Sequence, residues 1–233
     1  PSTGVTHATL LVIAALTMLF GVVGAASQME VRRILSFHII SQVGYMVLGL
    51  ALFTPLALAG AIVYLIHHII VKANLFLVSG LIRHTGGSFR LKTIGGLYKT
   101  NGLLAVGFII PAFALAGFPP LSGFWAKLLI IKASLESQQY ALALLSAAVG
   151  LLTVFSMIKI WTEAFWKPAP AEVNGSPIKR PLSSWMLVPV LSLALVTILL
   201  GLCMEPVIQF SMIAAVQLMD PQVYINAVLG GQP

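Results

Sequence analysis

Leu103 to Ile131 reads LLAVGFIIPAFALAGFPPLSGFWAKLLII. The run is long and apolar enough to cross a bilayer, since a spanning helix needs about 20 apolar residues. It cannot do so as one continuous helix. Pro119 and Pro120 remove two backbone donors and break the helix, and Gly117 and Gly123 flank the break. Irregular backbone at membrane depth is tolerated only where it is buried in protein or lines a cavity. Discontinuous helices of this kind are where transporters place ion sites. Lys127 follows about one turn later, on the re-formed half-helix. The plain alternative is a proline kink with a snorkelling lysine.

The same pattern of long apolar runs continues on both sides. Ala8 to Ala26, Ile34 to Phe53 and Leu56 to Ile82 precede the broken run, and Tyr140 to Phe165 and Trp185 to Cys203 follow it. The expected fold is therefore an all-α polytopic membrane bundle of about six transmembrane helices, the fourth broken over Phe118 to Gly123. Residues 1–205 form the bundle and 206–233 a C-terminal interfacial tail with short helices. In that tail Val207 to Met219 is apolar but too short to span, so it lies at the interface or against the bundle. Asp220-Pro221 reads as an N-cap and first helical position, with Gly230 ending the helix. The opening PSTGVTHATLL lacks the basic region and cleavage site of a signal peptide, and the chain, starting at Pro1, reads as a fragment or as trimmed.

Composition agrees. The chain has 233 residues, 59% hydrophobic and 8% charged; soluble domains carry about 25% charged residues. The net charge of +7 does not indicate a nucleic-acid partner, because the cations sit in short loops rather than in a binding stripe. With six crossings, Arg32, Arg33, Arg83, Arg90, Lys92, Lys99, Lys167, Lys179 and Arg180 fall on one side. Only Lys132 falls on the other, with Glu136, Glu205 and Asp220. The Lys/Arg bias makes the first side cytoplasmic and both termini extracytoplasmic. Pro168 to Pro181 is the most linker-like loop. Cys203, inside an apolar run, reads as a buried, inert thiol.

Four groups of polar residues are candidates for chemistry, because ionisable side chains inside a membrane are costly, about 2.5–3.5 kcal/mol on insertion scales. Tyr64, His67, His68, Lys72 and Ser79 share the third run; Lys72 lies too deep to snorkel easily. Burial disfavours the charged form of an amine, which makes proton exchange accessible to it, and histidines titrate near neutral pH in any case. A structural histidine pair is the alternative. His38, Ser41, Gln42 and Tyr45 form a stripe at i, i+3, i+4, i+7 on the second run, compatible with a water path or with interhelical hydrogen bonds of about 0.6 kcal/mol each. Lys127 and Ser122 accompany Pro119, Pro120 and Gly123 at the break. Lys159 and Glu163, at i, i+4 with Thr153 and Ser156 nearby, form either a proton uptake point or an ordinary ion pair. No phosphate-binding loop, nucleophile triad or metal-ligand cluster is visible. His67 and His68, being adjacent, point about 100° apart and do not chelate. No cofactor, no metal and no catalytic residue of an enzyme is expected.

The stretch Arg32-Arg33-Ile-Leu-Ser-Phe-His-Ile-Ile-Ser-Gln-Val-Gly-Tyr-Met resembles a segment of the D subunit of Mrp-type multisubunit sodium/proton antiporters. So do His67-His68-Ile-Ile-Val-Lys72-Ala-Asn-Leu-Phe-Leu, Gly95-Gly96-Leu-Tyr-Lys99, Leu115 to Lys127 and the tail around Gln217-Leu-Met-Asp-Pro-Gln-Val-Tyr. The likeness covers essentially the whole chain. The family shares its fold with the antiporter-like, proton-pumping subunits of respiratory NADH dehydrogenase.

The resemblance implies a subunit of about fourteen helices built around two inverted five-helix repeats, of which this chain matches the second repeat and the final helix. It implies that Lys127 is the broken-helix lysine and that Lys72, His67 and His68 lie on the proton path. Two residues depart from the pattern: Ala126 stands where Gly is expected, and Asn74 where a small apolar residue is usual. The implied function is exchange of protons for sodium in a bacterial cell membrane, by a relay in which a proton on one lysine disfavours a proton on the next. The implied partners are the other antiporter subunits and the N-terminal half of the same subunit. The alternative is a proton-pumping membrane subunit of a quinone-linked NADH dehydrogenase. A non-conducting structural subunit is a third reading, against which mid-membrane Lys72 and Lys127 speak.

Overall fold

The computed structural model describes residues 3–169 and 181–230. Lys179, Arg180 and most of the linker-like loop therefore lie outside the described residues. Five helices are long and apolar enough to span a membrane: α1 (Thr3–Ser27), α2 (Val31–Leu52), α3 (Pro55–Gly86), α7 (Tyr140–Ile160, continued by a π-helical turn Trp161–Trp166) and α8 (Ser184–Leu202). The run expected to form the broken fourth crossing is two shorter helices in tandem. A short α4 (Leu97–Thr100) precedes α5 (Gly102–Ala116), and α6 (Ser122–Glu136) follows the break. Each half contains 15 residues, about 22 Å at 1.5 Å per residue, so neither crosses the hydrocarbon layer alone.

Sequence sets the ends of these elements. Thr54 caps α3 by accepting from the Ala57 amide at 3.2 Å, with Pro55 in the first turn. At the other end Gly87, at φ 77°, returns its amide to the Arg83 carbonyl, a left-handed position that favours glycine. Between α1 and α2, glycines allow close approach. A Cβ on Gly44 would come 2.5 Å from Met18 Cγ, and Ser41 donates to the Met18 carbonyl at 3.1 Å. Small residues at such interfaces are how membrane helices reach packing distance.

Two buried clusters fill the bundle. One joins Met18, Tyr45, Tyr64, Ala126, Ile130 and Val149 from α1, α2, α3, α6 and α7. The other joins Leu35, Val71, Phe108, Ile160, Phe165 and Val190. In the second, the π turn after α7 lays Phe165 on Phe108 at 5.1 Å and beside Trp161 at 5.2 Å. The expectation for the tail resolves toward the bundle: α9 (Met204–Met219) packs through Ala215 onto Leu58 and Ala59 of α3. Asp220 caps α10 (Pro221–Leu229) by accepting from the Gln222 amide at 3.0 Å. Cys203 corrects the sequence reading. It sits at the C-cap of α8, where the helix turns into α9, and is exposed rather than buried.

Most of the described loop cations gather at one end. Glu30 pairs with Arg90 in an antiparallel bridge, Arg32 and Arg83 flank the Phe89 ring, and Lys167 donates to the Leu91 carbonyl at 2.7 Å. In a Cys203→Ser background, Ser88→Cys in this segment is expected to resist a membrane-impermeant thiol reagent in intact cells and to react after permeabilisation. Labelling from outside would invert the orientation drawn from the charge bias.

Candidate functional site

The break between α5 and α6 exposes the C-terminal carbonyls of α5 at membrane depth. The last four carbonyls of a helix have no partner within it, and in hydrocarbon they cannot turn to water. Here each has a partner. Phe113 accepts from the amides of Gly117 and Phe118 at 3.0 and 3.1 Å, and Ala114 accepts from Gly117 at 3.1 Å. The remaining two, Leu115 and Ala116, each accept from Lys127 Nζ at 2.9 Å. Lys127 is only 6% exposed. Its amine lies at the negative end of the α5 dipole.

Small residues make room for this side chain. Gly117 takes φ 96°, and a Cβ there would meet Lys127 Cδ at 2.9 Å. Gly150 on α7 faces the amine, where a Cβ would make an ordinary contact with Nζ at 3.8 Å. A cavity of about 340 Å³ lies alongside, lined by the break, Lys127 and the Ser146, Gly150 and Val154 face of α7.

An aromatic and polar chain leads from Lys127 into the bundle and back. The amine stands 5.5 Å from the centre of the Tyr45 ring. Tyr45 donates to the Ser146 carbonyl at 2.5 Å and stacks on Tyr64 at 5.1 Å. Tyr64 donates to Gln42 Oε1 and meets the edge of His67 at 5.9 Å. His67 Nδ1 lies 2.8 Å from Ser122 Oγ, in the first turn of α6. The residues read from the sequence at positions 42, 45, 64, 67, 122 and 127 thus form one connected set.

Lys72 lies deeper along α3, 5% exposed, and donates to the Leu35 carbonyl of α2 at 2.9 Å. His68 is buried on the same helix. His38, one turn beyond Leu35, is fully buried, and neither of its ring nitrogens finds a protein partner among the described residues. The same holds for His67 Nε2, His68 Nε2, Gln42 Nε2 and both amide atoms of Asn74. Buried polar atoms without protein partners are where ordered water is held. Asn74 is the residue that sequence reasoning left outside the site. Its displacement of an apolar residue from the buried face of α3 was the signal that could have included it.

Lys159 and Glu163 do not pair. Lys159 donates to the Ala26 and Gln28 carbonyls at 2.7 Å each, closing the C-terminal end of α1. Glu163 pairs instead with Lys167 at 2.7 Å. The π turn from Trp161 to Trp166 changes the spacing beyond Lys159, and the free carbonyls of α1 offer the amine a closer partner. Thr153 and Ser156 bond to their own helix, to the Val149 and Leu152 carbonyls. Ser79 likewise bonds locally, to Phe76.

Residues 1–153 match the family described as NADH:quinone oxidoreductase/Mrp antiporter, TM. The chain is 49% identical over 229 residues to the D subunit of the Na(+)/H(+) antiporter of Alkalihalophilus pseudofirmus, covering 97% of this chain and 45% of that protein. It is 35% identical to the protein of the same name from Bacillus subtilis, with the same coverage. It therefore spans about half the length of the curated relatives it matches. Among solved structures, a chain of the Mrp complex from Dietzia sp. DQ12-45-1b superposes with TM-score 0.89 at 38% identity, covering 96% of this chain and 49% of that one. A chain of respiratory complex I from Thermus thermophilus superposes with TM-score 0.81 at 21% identity, a likeness of fold.

The packing around the break is testable at Gly123. A Cβ there would press on the Ala114 backbone and reach His67 Cε1 at 2.8 Å, so Gly123→Ala is expected to destabilise the folded chain by about 1–3 kcal/mol. Gly150→Ala, which meets only Lys127 Nζ at 3.8 Å, should be tolerated. Thermal unfolding in detergent separates them; equal midpoints would contradict the packing described.

Proposed function

Because the chain belongs to the NADH:quinone oxidoreductase/Mrp antiporter transmembrane family, we propose that it is the C-terminal, proton-carrying half of an antiporter subunit that exchanges protons for sodium. The observation that carries this reading is the amine of Lys127 held on two backbone carbonyls of a broken helix, away from any carboxylate among the described residues. An ammonium has three donors. Two are used on Leu115 and Ala116, and the third is free of protein hydrogen bonds among the described residues. A neutral amine keeps two donors, so the side chain can release one proton without giving up either carbonyl. Lys72, anchored by a single carbonyl, has the same freedom.

The relay then runs among Lys127, Lys72 and the histidines His38, His67 and His68, each of which has a ring nitrogen without a protein partner. Tyr45, Tyr64, Gln42, Ser41 and Ser122 hold the groups in register, and water bound at the unpartnered nitrogens would carry protons between them. Lys159 and Glu163 are reassigned within this reading: Lys159 secures the α1 end, and half-exposed Glu163 remains a candidate for proton uptake. The subunit is a transporter component rather than an enzyme. It works in a bacterial cell membrane with other antiporter subunits and with an N-terminal half that its relatives' length implies, the basic end facing the cytoplasm. The 49% and 35% identities to antiporter D subunits favour this over the alternative of a proton-pumping NADH dehydrogenase subunit, which has the family description that both share and a likeness of fold at 21% identity.

Lys127→Ala is expected to abolish cation-dependent proton flux and, by leaving the Leu115 and Ala116 carbonyls without their donor, to lower stability by about 1–3 kcal/mol per carbonyl, offset in part by the desolvation cost removed with the charge. Lys127→Arg should fail as well, since a guanidinium does not release its proton. Lys127→His or Lys127→Glu restores a titratable group and should retain part of the flux. The measurement is proton flux in vesicles matched for complex content. Near-native flux in the alanine variant would show Lys127 to be a structural anchor only.

A further inference from the structure

The basic end of the bundle contains a second polar recess, unconnected with the lysine at the break. Its volume is about 300 Å³, and its lining is Gln28, Met29, Glu30, Arg33, Arg90 and Lys92. The residues come from two separated segments, the α1–α2 turn and the loop after α3. Backbone hydrogen bonds lock the segments together: Val31 donates to the Phe89 carbonyl and Leu91 to the Met29 carbonyl, each at 3.0 Å. Lys159 fixes the turn from below through Ala26 and Gln28, and Lys167 fixes the loop through Leu91. The recess is thus built from fixed backbone rather than from loosely flanking lysines.

Its charge is unbalanced. Glu30 is the one carboxylate in the lining, and it is engaged by Arg33 Nε at 3.2 Å. Among the described residues Arg90 and Lys92 have no acidic partner, and both are exposed. Beside the recess, Arg32 and Arg83 lie 4.2 and 5.1 Å from the centre of the Phe89 ring. Such stacking orients a guanidinium but leaves its N–H edges free for an anion. The recess also sits where α1 ends and α2 begins, in the turn and the loop that follow membrane-length helices α1 and α3. Leu16, Phe20 and Val23 are exposed apolar residues of α1, the helix that leads into the turn forming the recess, and Met29 of the lining is itself exposed.

The geometry points to a binding site for an anionic phospholipid, with its phosphate headgroup between Arg90, Lys92 and Arg33 and an acyl chain along the exposed face of α1. Charge complementarity selects a phosphate-bearing anion, since Arg and Lys donors match phosphate oxygens. Exposed Met29 in the lining, with the exposed apolar residues of α1 leading into the turn, selects a lipid over a free phosphate. Basic recesses between helix ends at the membrane surface are where such headgroups are held. The site is independent of the proton relay, and its test does not require transport.

The test uses the purified chain in detergent, titrated separately with phosphatidylglycerol and phosphatidylcholine and read by native mass spectrometry. Retention of phosphatidylglycerol is expected to exceed that of phosphatidylcholine. The double variant Arg90→Gln/Lys92→Gln should lower phosphatidylglycerol retention by on the order of tenfold or more, with the phosphatidylcholine level unchanged. Lys132→Gln, which removes a cation at the opposite end, should change neither. Both target side chains are exposed, so unfolding is not expected, and an unchanged thermal midpoint confirms that. Four results would overturn the site: equal retention of the two lipids, full retention by the double variant, the same loss in Lys132→Gln, or displacement of the lipid by millimolar inorganic phosphate alone.

Discussion

Two carbonyl groups at the end of α5 set the terms for the rest of the structure. In water they would be solvated without consequence. In a bilayer they need a donor from the protein, and Lys127 supplies it from the next half-helix. This arrangement joins the two sides of the break and requires space around the lysine side chain, which Gly117 provides. It also brings α6 against its neighbours. Gly123 lies against the Ala114 backbone and His67, and Trp125 donates to the Gly201 carbonyl of α8 at 2.9 Å. The broken crossing is therefore held by α3 and α8 on the sides away from the cavity.

The same interaction explains how a cation is tolerated at depth without a counter-ion. A buried ion pair would fix the charge, because each partner stabilises the ionised form of the other. Backbone carbonyls accept from both an ammonium and a neutral amine, more strongly from the ammonium. Lys127 and Lys72 are both anchored this way, so their carbonyl partners can be kept in either protonation state. His38, His67 and His68 complement them, each offering a buried nitrogen that no protein atom among the described residues satisfies.

Much of this was legible in the sequence, because it rests on side-chain identity and spacing. Pro119-Pro120 forced the break, the length of the apolar runs gave the crossings, and the clustering of Lys and Arg in alternate loops brought the basic residues to one end. The i, i+3, i+4 stripe on α2 placed Gln42 and Tyr45 where Tyr64 and Lys127 meet them. What escaped was whatever depended on backbone atoms. The partners of Lys127, Lys72 and Lys159 are carbonyls, which every residue carries and no pattern marks. The Lys159–Glu163 pair failed for that reason and because a π turn, invisible to a 3.6-residue period, intervenes. Cys203 was misplaced because hydropathy does not distinguish the middle of an apolar run from its cap.

The most direct measurement of this arrangement is solid-state NMR of the chain in lipid bilayers, with ¹⁵N in the lysine side chains and ¹³C at the Leu115 and Ala116 carbonyls. Lys127 should show dipolar contact from Nζ to both carbonyls, and that contact should persist as its signal moves between the ammonium and amine positions in a pH titration. An Nζ that contacts neither carbonyl, or that loses contact when it gives up its proton, would contradict a lysine anchored by backbone and free to exchange protons.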